Sequence, residues 1–122
     1  MILVDTSVWV DHLRAGDADL AALLEAGQVL VHPFVLGELA CGNLRHREEV
    51  LRLLKDLPRA VTATDDEVLF FIERNALMGC GIGYVDAHLL ASLRLNGSSR
   101  IWTRDKRLRS VADAQGVAYG KR

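Results

Sequence analysis

Ile2-Leu3-Val4-Asp5-Thr6-Ser7 puts a carboxylate directly after three consecutive apolar residues. The run has no in–out alternation, so it reads as a strand covered on both faces. Residues 2 to 5 are therefore expected to form a strand of a helix-covered parallel sheet, with Asp5 at its carboxyl end. Sites in such sheets lie in the crevice beyond the carboxyl ends of the strands. A second short run, Ile101-Trp102-Thr103, is followed by Arg104 and Asp105. It places another acid at the same edge.

Working outward, strands and helices alternate. Residues 7 to 13 and 17 to 26 read as helices, the second closed by Gly27. Val29-Leu30-Val31 reads as a buried strand. Pro33 suits the first turn of a helix reaching about Gly42, where its missing N–H is no loss. Residues 46 to 56 have an amphipathic helical pattern stopped by Pro58. A short strand is expected near Ala60-Val61. Thr64-Asp65-Asp66-Glu67 matches a capping box opening a helix to about Leu77. Gly79, Gly81 and Gly83 make a flexible connection to an apolar helix over 84 to 95. A strand over 100 to 103, a helix over 105 to 114 and a last strand at Val117-Ala118-Tyr119 complete the pattern. It predicts an α/β fold, with helices on both faces of a mainly parallel sheet.

The chain has 122 residues, half of them hydrophobic and a quarter charged. That is one domain by length, 1–122, able to bury roughly 65% of its unfolded surface. No apolar stretch approaches the roughly 20 residues that span a bilayer. The N-terminus lacks the basic and long apolar regions of a secretory signal. Cys41 and Cys80 make neither a disulfide framework nor a zinc motif, and are expected to be reduced thiols in the cytoplasm. The formal net charge is −1. If four acids share one pocket, the rest of the surface carries +3, which permits nucleic-acid binding without demonstrating it.

Four acids can converge: Asp5, Glu38, Asp86 and Asp105. Asp5 and Asp105 each have a plain alternative as caps of the helices they precede. Glu38 has Phe34, Val35, Cys41 and Gly42 at its helical neighbours, so its carboxylate is expected to point toward packing. Asp86 lies on a helix apolar over a wide arc. Four carboxylates brought together raise one another's pKa values unless a cation compensates them. Oxygen-only ligands suit hard divalent ions, whereas zinc prefers nitrogen and sulfur. His12, His32, His46 and His88 have no paired-ligand spacing and read as structural or surface residues. Gly79-Cys80-Gly81-Ile82-Gly83 follows a helix rather than a strand, which fails the dinucleotide-binding context.

The order Val4-Asp5-Thr6-Ser7-Val8-Trp9, Gly37-Glu38-Leu39, Tyr84-Val85-Asp86-Ala87 and Trp102-Thr103-Arg104-Asp105-Lys106-Arg107-Leu108 resembles a PIN domain. It most resembles the VapC-type toxins of bacterial toxin–antitoxin pairs, over nearly the whole chain. The resemblance implies a three-layer α/β/α fold and a metal-dependent endoribonuclease. Asp5, Glu38, Asp86 and Asp105 then take the family's acidic positions. Asp5 and Asp86 are the chief ligands of Mg2+ (Mn2+ as a substitute), with Asp105 acting directly or through water. Thr6, Ser7 and Thr103 orient ligands by hydrogen bonds. An RNA substrate, a cognate antitoxin protein and a homodimer are implied likewise. The antitoxin is expected in an apolar groove walled by helices between residues 17 and 57.

Arg104, Lys106, Arg107 and Arg109 border Asp105 and are candidates for gripping the RNA backbone, as are Arg45, His46 and Arg47. The alternative for each cluster is an ordinary solvated helix face. Two other functions compete. A receiver-type signalling domain shares the length and the acids at strand ends, but its acids come in a different order. A non-catalytic protein-binding module would tolerate loss of Asp86.

Overall fold

The computed structural model describes residues 1–120. Three parallel strands, β1 (Ile2–Val4), β2 (Val29–Leu30) and β3 (Arg100–Trp102), form a sheet of order β2-β1-β3. Helices α1 (Thr6–Ala15) and α2 (Ala18–Glu25) join β1 to β2. Between β2 and β3 come α3 (Pro33–Cys41), α4 (Arg47–Lys55), α5 (Asp65–Arg74) and α6 (Tyr84–Leu95), and α7 (Lys106–Ala114) follows β3.

The opening run is the centre of the sheet. Leu3 pairs with Leu30 on one side and with Ile101 on the other. Leu3, Val4 and Ile101 have no exposed surface, because helices cover the sheet. Each such side chain contributes roughly 1.5–3 kcal/mol by burial. Val8 and Trp9 of α1, Val35 and Leu39 of α3, and Leu89, Leu90 and Leu93 of α6 pack into the same core. No helix among the described residues is long and apolar enough to cross a membrane.

Local signals act where the sequence puts them. Pro33 opens α3, and Thr64 and Glu67 close both hydrogen bonds of their capping box at 3.1 and 2.9 Å. Three expectations shift. Ala60-Val61 is not a strand: Val31 makes a single parallel bridge with Arg59. Beyond it Val61 leaves the ladder, its N–H going to the Asn96 side chain and its carbonyl accepting from Ser92. Val117–Tyr119 is likewise one parallel bridge, Ile101 with Ala118. There Arg109 draws off the carbonyls of Tyr119 and Gly120. The helix expected to reach Leu77 stops at Arg74, because the Asn75 side chain donates to the Phe71 carbonyl and Ala76 turns left-handed at φ 51°.

Candidate active site

Asp5 leaves β1 with its N–H donating to the Trp102 carbonyl at 2.9 Å, so the carboxyl ends of β1 and β3 are locked side by side. Its side chain does not cap α1. Instead Oδ2 accepts from the Ser7 hydroxyl at 2.9 Å and from the Thr103 hydroxyl at 2.8 Å. Asp5 is only 8% exposed, so this carboxylate is held in one orientation without any cationic side chain bonded to it among the described residues. Thr103 in turn accepts from the Asp105 N–H at 3.1 Å, and Ser7 accepts from the Arg104 N–H at 3.0 Å. The start of α1 and the β3–α7 connection are thus stitched together through the two hydroxyls that position Asp5.

Asp105 behaves differently. It is exposed, and its Oδ1 accepts from the Leu108 N–H at 2.9 Å, capping α7. Asp86 is half-buried in the first turn of α6, where its Oδ2 accepts from the Gly83 N–H at 3.2 Å. Glu38 on α3 is exposed rather than turned into packing. The core contacts of α3 come from Val35 and Leu39, while Phe34, Cys41 and Gly42 share the open side with Glu38. The apolar character of those neighbours therefore misleads about burial. The Thr6 hydroxyl donates to Glu38 Oε1 at 2.6 Å and fixes that carboxylate near the start of α1.

Electrostatics tie the four acids together. Burial pushes the Asp86 carboxyl above its ordinary pKa, the Gly83 N–H opposes this, and the charges of Asp5, Asp105 and Glu38 push it up further. Acids from the end of β1, from α3 and from the β3–α7 connection thus all act on Asp86 in α6. The donor set is all oxygen, which suits a hard divalent cation. Among the described residues, no group of three or more His, Cys, Asp or Glu side chains closes into a ready-made metal cage. One oxygen each of Glu38, Asp86 and Asp105 is engaged by Thr6, Gly83 and Leu108, which turns these carboxylates toward local donors. The arrangement fits an ion that keeps several waters and takes only one or two carboxylates directly.

The basic residues divide. Arg104 is paired with Asp11 and, at 2.7 Å, with Asp17. The Leu20 N–H holds the Asp17 carboxyl below its ordinary range, and Arg104 adds to this against the opposing effect of burial. Arg109 is bound to Asp113 and to the Tyr119 and Gly120 carbonyls. Lys106 and Arg107 have no ion pair among the described residues. Arg107 lies over the glycine loop: a Cβ on Gly81, whose φ is +82°, would meet its Cδ at 2.7 Å. Arg47 donates to the Ala40 and Gly42 carbonyls.

Two residues outside the expected site support it. His32 caps α3, accepting from the Phe34 N–H at 3.0 Å, and His88 follows Asp86 on α6. Both are buried and in ring contact with Phe34. Burial, with His88 adding to it, lowers the His32 pKa to about 4, so the ring is neutral at pH 7. Their lack of a paired-ligand spacing gave a structural or surface reading in the sequence. Their meeting across α3 and α6 depends on tertiary packing.

A short-stranded parallel sheet with acids converging at one edge is the architecture of a known class. The PIN-domain family model matches residues 2–114, and the chain belongs to that family. It is similar to Ribonuclease VapC32 of Mycobacterium tuberculosis. Sequences from strains CDC 1551 / Oshkosh and ATCC 25618 / H37Rv are each 51% identical to it over 121 residues, covering 99% of this chain and 98% of theirs. Membership sets aside the receiver-type alternative.

Proposed function

We propose that this chain is a divalent-metal-dependent endoribonuclease of the VapC kind, the toxin of a toxin–antitoxin pair, acting as one PIN domain over residues 1–122. The observation that carries the site is the upward push on Asp86 by burial and by Asp5, Asp105 and Glu38 together. Groups so perturbed by burial and by neighbouring charges are functional candidates. Similarity to Ribonuclease VapC32 supports the reaction.

In this reading Asp5 and Asp86 would hold Mg2+, or Mn2+ in its place, with Asp105 contributing directly or through water. When bound, the cation would neutralise charge at the phosphate and lower the pKa of a bound water. Ser7 and Thr103 hold the Asp5 carboxylate in its ligating orientation. Glu38, steadied by Thr6, aligns the attacking water or accepts its proton. In-line attack expels the ribose 3′ oxygen, leaving a 5′-phosphate and a 3′-hydroxyl. Lys106 and Arg107 are the cations available for the RNA backbone, since Arg104 and Arg109 are held by protein partners.

An antitoxin segment fits an apolar groove of about 360 Å3 beside Glu38, lined by Val10, Leu13, Leu39 and Leu44. One wall is α1, which lies before the residues expected to form it. Exposed Phe70 and Leu95, which line one apolar groove of α5 and α6, support a homodimer through those helices, because contiguous exposed apolar surface commonly marks an interface. The cytoplasm is the compartment in which such a toxin meets its RNA.

The test is cleavage of single-stranded RNA by purified protein. Activity abolished by chelator, restored by Mg2+ and absent in Asp86→Asn supports the proposal. Cleavage that survives excess chelator overturns it. Growth arrest on expression, relieved by Asp86→Asn, tests the toxin role separately.

A further inference from the structure

Next to the carboxylates lies a cavity of about 860 Å3 that none of the acids needs. Its walls include Asp19, Trp102, Thr103, Lys106, Ser110 and Tyr119. The volume falls within the roughly 300–1,000 Å3 of small-ligand sites. Trp102 and Tyr119 form an aromatic wall, their ring centroids 5.6 Å apart and their planes tilted by 49°. Both are half-buried. The wall is anchored: Trp102 belongs to β3, and its carbonyl accepts from Asp5. Tyr119 is pinned by its N–H to the Ile101 carbonyl at 2.8 Å and by Arg109 donating to its own carbonyl at 2.9 Å.

Lys106 lines the same cavity without an ion pair among the described residues, whereas the other two cations there, Arg104 and Arg109, are already paired. None of the four acids lines the cavity, but it meets the acidic site through Thr103. Thr103 lines it and donates to Asp5 at 2.8 Å. A fixed aromatic surface, one available cation and contact with a phosphate-handling centre together match the chemistry of a nucleotide. Bases stack on aromatic side chains whatever their identity, while basic side chains meet the backbone.

We infer that this cavity is a nucleotide subsite, with one base of the RNA against Trp102 and Tyr119 and its phosphate at Lys106. The inference rests on the ribonuclease reading for its biological meaning, but binding alone can test it. Arg109 is then a positioning residue that stiffens the aromatic wall, not a phosphate contact.

Adenosine 5′-monophosphate contains no internucleotide bond, so the wild-type protein can be titrated with it directly. Of the two tryptophans, Trp9 is only 2% exposed, so fluorescence quenching reports on Trp102. The expected result is saturable quenching by this nucleotide and none by ribose 5-phosphate, with the response lost in Trp102→Phe. Tyr119→Ala should weaken affinity roughly ten- to hundredfold, as expected for loss of one stacking partner. Exposed Lys106→Gln, which leaves the core untouched, should weaken the nucleotide but not adenosine. Absence of quenching, or affinity unchanged in Lys106→Gln, overturns the inference even if RNA is cleaved. Quenching without any RNA cleavage would sink the nuclease reading and leave the subsite standing.

Discussion

Two strand–helix junctions in this molecule look alike and do different work. At the β1–α1 junction and at the β3–α7 junction an aspartate follows a short parallel strand and occupies the cap position of the next helix. Asp105 uses its side chain as a cap, on the Leu108 N–H. Asp5 leaves its helix uncapped and is held sideways by Ser7 and Thr103. A carboxylate that stabilises its own helix has a structural reason to be there. One that is buried, oriented by two hydroxyls and surrounded by other acids does not repay its desolvation in the folded chain alone. The contrast supports the proposed ligand-binding role of Asp5, whereas Asp105 combines a cap with its place in the acidic group.

The largest effect expected from this contrast is on catalysis. Asp5→Asn should lower RNA cleavage by at least about 100-fold, the scale of removing a principal electrostatic contact, while circular dichroism shows the fold intact. Near-normal cleavage would erase the distinction between the two junctions. Next in size is the support of Asp5. Thr103→Val, which removes one of its two hydroxyl donors, should weaken Mn2+ binding by about 10–100-fold in calorimetry. A variant that binds the ion as wild type would mean the hydroxyls serve only the backbone.

At the other junction the expectation concerns stability. Asp105→Ala should cost about 0.5–2 kcal/mol in urea unfolding, whereas Asp105→Asn, itself a good cap, should cost little. Equal losses in both variants would show that the cap is not what stabilises α7. If Asp105 also serves the metal, Asn keeps the stability and loses activity, which separates its two roles.

The smallest effect is one of sign. The Asp86 pKa is raised in the folded protein, chiefly by burial and then by its acidic neighbours. The folded state therefore holds this proton at pH values where the unfolded chain has released it, so stability falls as pH rises above the ordinary carboxylate value of 3.8. In chelator at pH 7, Asp86→Asn should melt above wild type, and the gap should close as pH falls toward 3.8 and below. Added divalent cation should reverse the order. His32 works in the opposite sense: its pKa is lowered from 6.5 to about 4, so its contribution is complete above 6.5 and is lost as pH falls toward 4. Thermal melts across that window should show a slope that His32→Phe flattens.

Much of the fold was legible because it is carried by local chemistry. Ile2-Leu3-Val4 announces a doubly covered strand by lacking alternation, Pro33 opens α3, and Thr64 with Glu67 spells a capping box. Two of the failures lay where the sheet ends. Val61 and Tyr119 have strand-like side chains, yet Asn96, Ser92 and Arg109 draw backbone groups near them out of the ladder. Those competitors come from distant or differently shaped segments, and no local propensity reports them. Glu38 misled for a related reason: apolar neighbours on a helix imply a core face only when another element covers that face.

By itself the sequence determined which side chains could do the chemistry: four acids, the hydroxyls beside Asp5, and an order of motifs that resembles one family. It also determined the elements that carry them, because helix and strand periodicities are short-range. Tertiary structure alone decided which aspartate is a cap and which is held sideways by two hydroxyls, which arginines are already paired, and that Trp102 and Tyr119 share a cavity wall. Those outcomes depend on contacts between residues as far apart as Asp5 and Thr103. Such contacts exist only once the strands have closed into a sheet, which is why spacing along the chain could nominate the candidates but not divide the work among them.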